Sequence, residues 1–92
     1  MTTETNRKRI NLTDAFCRSA KPINGALTEY PDVKERGLAL RVTPAGVKSW
    51  TFRYRNFAGQ QKRLSLGRLD DVPLVEARGQ AAAERARVHN KL

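Results

Sequence analysis

Apolar and polar residues alternate along three segments in the middle of the chain, residues 38–42, 50–55 and 63–66. A period of two indicates β-strands with one buried face, and the short glycine-containing connections between the segments favour antiparallel neighbours. A shorter strand is predicted over residues 27–30, just before Pro31. The pattern therefore predicts an antiparallel sheet of three to four strands, with one face buried and the other exposed.

Helices are predicted on either side of this sheet. Thr13 can cap a short helix that ends before Pro22, because the residue preceding a proline avoids helical backbone angles. Residues 74–89 form a second helix, whose core-facing stripe consists of Leu74, Ala77, Ala81, Arg85 and Val88. We therefore predict an α+β fold in which the C-terminal helix covers the apolar sheet face. This single domain spans residues 12–92 and follows a flexible basic tail at residues 1–11.

The net charge of +9 is concentrated between Arg36 and Leu69, a segment with eight basic residues and no acid. Such a distribution indicates a polyanionic partner, and the absence of nearby acids removes repulsion against phosphates. No apolar run is long enough to span a bilayer. The single cysteine, Cys17, excludes an internal disulfide, and the cytoplasm is the predicted location.

The exposed face of the predicted sheet interleaves arginines with hydroxyl residues. Because the planar guanidinium can hold a phosphate or read guanine, this face predicts binding of duplex DNA in the major groove. Exposed strands also carry charge for solubility, but glutamate would serve that purpose as well as arginine. The predicted contacts are Arg41, Thr51, Arg53, Arg55 and Arg63 on the sheet, Lys48 and Lys62 as supporting cations, and Arg7, Lys8 and Arg9 in the tail.

Two other functions fit the same charge pattern. The basic face could dock on an acidic protein surface, and affinity that depends on DNA sequence would distinguish this protein-interaction module from a DNA reader. Binding of single strands or RNA usually needs exposed aromatic residues, whereas Trp50, Phe52 and Tyr54 are in phase with the core. Phe57 lies in a loop beside the basic face, where it could stack, insert or pack on the turn.

No catalytic, metal-binding or cofactor-binding motif is recognisable in the sequence. His89 is the only histidine and has no partners at ligand or triad spacing. A phosphate-binding loop with its lysine and a nucleophile elbow are both missing. Cys17 fits a small buried apolar side chain better than a nucleophile. We therefore predict a binding domain without catalysis or cofactor.

Five blocks of sequence, in order, resemble the N-terminal arm-type DNA-binding domain of phage and genomic-island integrases. The blocks are residues 12–14 with 20–22, 37–46, 48–55, 64–67 and 76–78. The resemblance implies a sheet packed on a C-terminal helix and binding to arm sites that flank a recombination core, in support of DNA integration. It also implies that this chain is part of a longer tyrosine recombinase with its catalytic residues in other domains. Other recombinase protomers or accessory proteins would then be further partners.

Overall fold

A four-stranded antiparallel sheet, with one helix before it and one after it, forms the frame of the molecule. The computed structural model describes residues 8–89. In chain order the elements are α1 (Asp14–Ser19), β1 (Thr28–Pro31), β2 (Leu38–Val42), β3 (Lys48–Arg55), β4 (Gln61–Arg68) and α2 (Leu74–His89). The strands lie in the order β1-β2-β3-β4, and each pairs antiparallel with the next. The predicted α+β fold is confirmed.

Both helices pack on the same face of the sheet. Helix α1 begins as predicted, because the Thr13 hydroxyl accepts a hydrogen bond from the Phe16 amide at 3.1 Å. In α2 the alanines at positions 77 and 81 are fully buried, so the helix can lie close to the strands. Neither described helix is long and apolar enough to cross a membrane. The shared core consists of Leu12, Cys17, Ala20, Leu38, Leu40, Val42, Trp50, Phe52, Val72, Leu74, Ala77 and Ala81.

The two edge strands, β1 and β4, both end later than the sequence pattern predicts. Strand β4 begins at Gln61 and ends at Arg68, two residues beyond the predicted segment at each end. Strand β1 includes Pro31, which was predicted to end it. An edge strand tolerates proline, since one side of its backbone needs no ladder partner. Charged and polar residues thus continue the strand pairing where the hydrophobic pattern has already stopped.

A β-bulge interrupts the pairing of β3 with β4. Trp50 lies opposite Gly67, but the next residue, Thr51, lies opposite Ser65, so Leu66 is an extra residue on β4. Gly67 is required at this point. A side chain there would come within 2.9 Å of the Val72 side chain, and its φ of +117° is a left-handed backbone conformation. The bulge reverses the inside–outside alternation of β4 after Ser65.

Asp32 joins three parts of the chain at the end of β1. Its carboxylate is fully buried and accepts hydrogen bonds from the Leu12 amide at 3.3 Å and from Arg78 Nε at 2.8 Å and Nη2 at 3.0 Å. Burial raises the pKa of Asp32, but the bonds from Arg78 and Leu12 lower it by more, so it lies below the ordinary value of 3.8. This buried ion pair fastens α2 and the segment before α1 to the edge of the sheet.

Candidate nucleic-acid interface

The sheet face opposite the helices, called the outer face below, carries five of the ten predicted contacts. The strand register places these side chains away from the core, because they alternate with buried residues such as Leu40, Trp50 and Phe52. The outer face includes Glu29 on β1, Ala39 and Arg41 on β2, Thr51, Arg53 and Arg55 on β3, and Arg63, Ser65 and Arg68 on β4.

Its arginines differ in how they are held. Arg53 and Arg63 lie directly opposite each other on neighbouring strands. Arg55 folds back onto the β3–β4 turn, where its guanidinium donates to the Gly59 carbonyl at 2.9 Å. The Arg41 residue is half-buried, and its side chain makes no hydrogen bond or ion pair with any other residue between positions 8 and 89. The face therefore combines arginines that are held by other groups with two, Arg41 and Arg68, whose side chains have no hydrogen-bond or ion-pair partner in the described structure.

The expectation that acids are absent from the neighbourhood of the basic residues is wrong. Glu29, which lies outside the acid-free segment in sequence, pairs with Arg41 in the β1–β2 register and thus joins the outer face. Its carboxylate accepts a hydrogen bond from Arg53 and lies 3.8 Å from Arg63 Nη2. Sequence analysis missed Glu29 because the pairing of an edge strand decides which side it occupies.

Thr51 lies at the centre of the outer face but is almost completely buried, at 4% exposure. Its cross-strand neighbours are Ala39 and Ser65. The Thr51 hydroxyl is the one buried side-chain polar atom in the described part of the chain that lacks a hydrogen-bond partner. Because both helices lie on the other side, the long side chains of the outer face must provide its cover. The hydroxyl predicted to contact phosphate is thus set below the arginines.

Two predicted contacts, Lys48 and Lys62, lie on the helix side of the sheet. Lys48 is opposite Val42, and its ammonium donates to the Arg18 carbonyl at the end of α1. Lys62 is opposite Tyr54 and is exposed. The sequence already indicates that Lys48 lies on the helix side, because Lys48 is in phase with the buried Trp50. Any contact of these lysines with DNA would come from outside the outer face.

Arg68 is a basic residue of the outer face that sequence analysis did not assign to it. It is exposed and lies opposite Ser49, on the side away from the core. Uninterrupted alternation from Leu64 would have turned Arg68 toward the helices. The bulge at Leu66 reverses that alternation, and its sign in the sequence is Gly67, because a glycine inside a strand often marks a bulge. The structure therefore adds one arginine to the predicted set.

The basic N-terminal residues are only partly described. Arg7 lies outside the described residues, and Lys8 and Arg9 are exposed. The next residue, Ile10, donates its amide to the Pro31 carbonyl at 2.9 Å, and its carbonyl accepts from the Val33 amide at 2.7 Å. Lys8 and Arg9 therefore leave the domain beside the edge strand β1.

The aromatic residues of β3 belong to the core, as predicted. Trp50 is fully buried and donates its indole N–H to the Val72 carbonyl at 2.7 Å. Phe52 is 1% exposed, and the half-buried Tyr54 stacks on it with ring centroids 5.6 Å apart. Phe57 differs, being 76% exposed in the turn between β3 and β4. The described outer face offers arginines rather than a platform of stacked rings.

Cys17 is buried in the core, and burial raises the pKa of its thiol to about 11, with a smaller contribution from Asp14. A thiol with so high a pKa is almost entirely protonated at neutral pH and is a poor nucleophile. The prediction of a structural cysteine is confirmed. The side chain of His89 lies outside the described part of the structure.

Comparison with known proteins gives one family match. A family model described as an arm DNA-binding domain matches residues 12–91. That span contains all the described helices and strands, including every residue of the outer face. No curated protein matches the chain. The resemblance inferred from the five sequence blocks is confirmed.

Proposed function

Because the chain belongs to the arm DNA-binding domain family, the N-terminal arm-type domain of phage integrases, we propose that it recognises the sequence of duplex arm sites. In this proposal the outer face lies in the major groove and positions a tyrosine recombinase for DNA integration. The observation that carries the proposal is the set of arginines on one sheet face that neither helix covers, Arg41, Arg53, Arg55, Arg63 and Arg68.

The dimensions of the sheet support this mode of binding. Neighbouring strands lie about 4.8 Å apart, so the three arginine-bearing strands β2 to β4 span about 10 Å between their axes. The major groove is about 12 Å wide and admits a two-stranded ribbon, and the axes of the three strands also fall within its width. Adding β1 would widen the sheet to about 14 Å, so this strand, which carries no arginine, belongs at the rim of the groove.

The remaining basic groups fit a supporting role. Lys8 and Arg9 are exposed beside β1, where they could follow the phosphate backbone next to the groove. Lys62 is exposed near the opposite edge of the sheet. Contacts of this kind set position and affinity but carry no sequence information. We assign sequence reading to the outer face and backbone binding to these flanking cations.

The experiment that tests this function starts with selection from duplexes containing a random central segment. The selected duplex and a scrambled duplex of equal composition are then titrated with the 92-residue chain at two salt concentrations. Preference for the selected duplex at both concentrations supports arm-site recognition. Equal binding to both, erased by salt, would overturn it and favour a basic docking surface. Stronger competition by single strands than by duplex would also overturn it.

A matched pair of variants tests the assignment to the outer face. Arg41→Ala removes a charge from the outer face, whereas Arg87→Ala removes the same charge from the exposed end of α2. If Arg41 reads a base, its loss should cost about 1–3 kcal/mol of binding to the selected duplex and relax specificity at one position. If it contacts a phosphate, the salt slope should flatten by about one unit. Equal effects of the two variants would contradict the assignment.

A further inference from the structure

Glu29 places a carboxylate among the arginines of the outer face. Its side chain is only 11% exposed and forms ion pairs with Arg53 and, at 3.8 Å, with Arg63. Arg41 lies directly opposite it on β2. Three arginines therefore neighbour one acid, on the surface that would meet the negatively charged backbone of DNA.

An acid in this position works against simple attraction to phosphates. It neutralises part of the charge of Arg53 and Arg63, and it repels any phosphate brought near them. If the outer face bound DNA through its charge alone, affinity would be higher without Glu29. The contribution of Glu29 must therefore lie in something other than the strength of phosphate binding.

The ion pairs orient the two guanidinium groups. Arg53 directs Nη2 to the carboxylate, and Arg63 directs its own Nη2 toward the same group. Both groups keep further N–H donors for a ligand, since a guanidinium carries five. Bidentate reading of guanine depends on the direction of the guanidinium plane, and an orienting partner fixes that direction. A glutamate can also accept a hydrogen bond from the amino group of cytosine.

We propose that Glu29 is a positioning residue that increases sequence discrimination at the expense of affinity for phosphates. It holds Arg53 and Arg63 in the orientation that base edges require and weakens their attraction to the backbone. This inference rests on the proposed binding of duplex DNA by the outer face. A purely structural role, in which Glu29 only offsets repulsion between Arg53 and Arg63, would change stability and leave discrimination intact.

The test uses Glu29→Gln in the 92-residue chain, together with the selected and scrambled duplexes. Glutamine keeps the size of the side chain and removes its charge. We expect roughly 3- to 10-fold tighter binding of the scrambled duplex and a salt slope steeper by about one unit, because freed arginines can neutralise another phosphate. The ratio of the two affinities should fall by about fivefold or more. Thermal unfolding of each variant establishes that it is folded.

Glu76→Gln is the matched control, since it makes the same charge change in the first turn of α2, on the other side of the sheet. Glu29→Asp is the second variant. It keeps the charge but shortens the reach to Arg53, so discrimination should fall without a gain in affinity for the scrambled duplex. This variant decides the question if the glutamine variant does not fold.

The outcomes separate the two proposals. If the wild-type chain prefers the selected duplex and Glu29→Gln behaves like Glu76→Gln in affinity, salt slope and ratio, the positioning role is refuted while arm-site recognition stands. Unchanged discrimination in Glu29→Asp has the same meaning. If the wild-type chain shows no preference between duplexes, the proposed function fails and the role of Glu29 fails with it.

Discussion

Replacing Asp32 by asparagine should destabilise the domain more than any other single removal of an acidic charge from the described residues. The substitution keeps the shape of the side chain but removes the charge that faces Arg78. It also sets an amide donor against the N–H groups of Arg78 and Leu12, which now donate to the carboxylate. Asp32 is 0% exposed, so water cannot replace the lost interactions.

The expected loss follows from the environment of the pair. Removing one partner of a buried ion pair costs about 3–5 kcal/mol. The Arg78 side chain is 23% exposed, so part of its charge can be hydrated, and we expect the lower end, about 3 kcal/mol. A domain of this size has a free energy of unfolding of roughly 5–14 kcal/mol. The melting temperature should fall by about 12–24 °C, at about 4–8 °C per kcal/mol.

Urea unfolding can be followed through the fluorescence of Trp50, the single tryptophan, which is fully buried in the folded state. Asp70→Asn makes the same chemical change at an exposed position and should leave the midpoint unchanged. In an Arg78→Met background, Asp32→Asn should lower the free energy of unfolding much less, because the guanidinium charge that pairs with Asp32 is already absent. A loss below about 1 kcal/mol from Asp32→Asn alone would show that the buried pair does not hold the domain together.

Three further predictions concern acid, the turn before β2 and the exposed side of α2. Because folding lowers the pKa of Asp32, its contribution to stability is complete above the ordinary value of 3.8. This contribution is lost as the pH falls through the pKa that Asp32 has in the folded protein. Urea titrations below about pH 4 should therefore show a decrease in the free energy of unfolding that the Asp32→Asn variant lacks. Gly37→Ala should cost at least ~2 kcal/mol in the same titration, since φ is +91° and the new Cβ would lie 2.5 Å from the Arg53 carbonyl. Gly79→Ala, in open space on α2, should instead stabilise by up to ~1 kcal/mol.

The sequence predicted those features of the fold that depend on neighbouring residues. The alternation of Trp50 and Phe52 with Thr51 and Arg53 determines which side chains enter the core, whatever the neighbouring strands do. The cap at Thr13 likewise depends on residues within one turn. For this reason the helices and the order of the central strands agree with the structure.

Features that depend on distant pairing could not be predicted in this way. Asp32 follows Pro31 at the end of a predicted strand, and no neighbouring residue indicates its partner, because Arg78 is 46 residues away. Glu29 joins the outer face through the register of β1 with β2. Lys48 is different, because its phase with Trp50 in the sequence already places it on the core side of β3, although its charge alone suggests a contact with DNA.

The β4 bulge makes the inside–outside pattern of this strand comparable to a reading frame. Before Leu66, odd-numbered residues such as Arg63 and Ser65 lie on the outer face, and after it the even-numbered Arg68 does. If β4 paired with β3 at the same length but without the bulge, Leu66 would lie opposite Trp50 and Arg68 opposite Lys48. Arg68 would then turn toward the helices, and the row of arginines would shorten without any change in the charge of the chain. A substitution that abolishes the bulge, such as one at Gly67, can therefore change the surface offered to a ligand at unchanged charge, a change that net-charge comparisons of related domains would not detect.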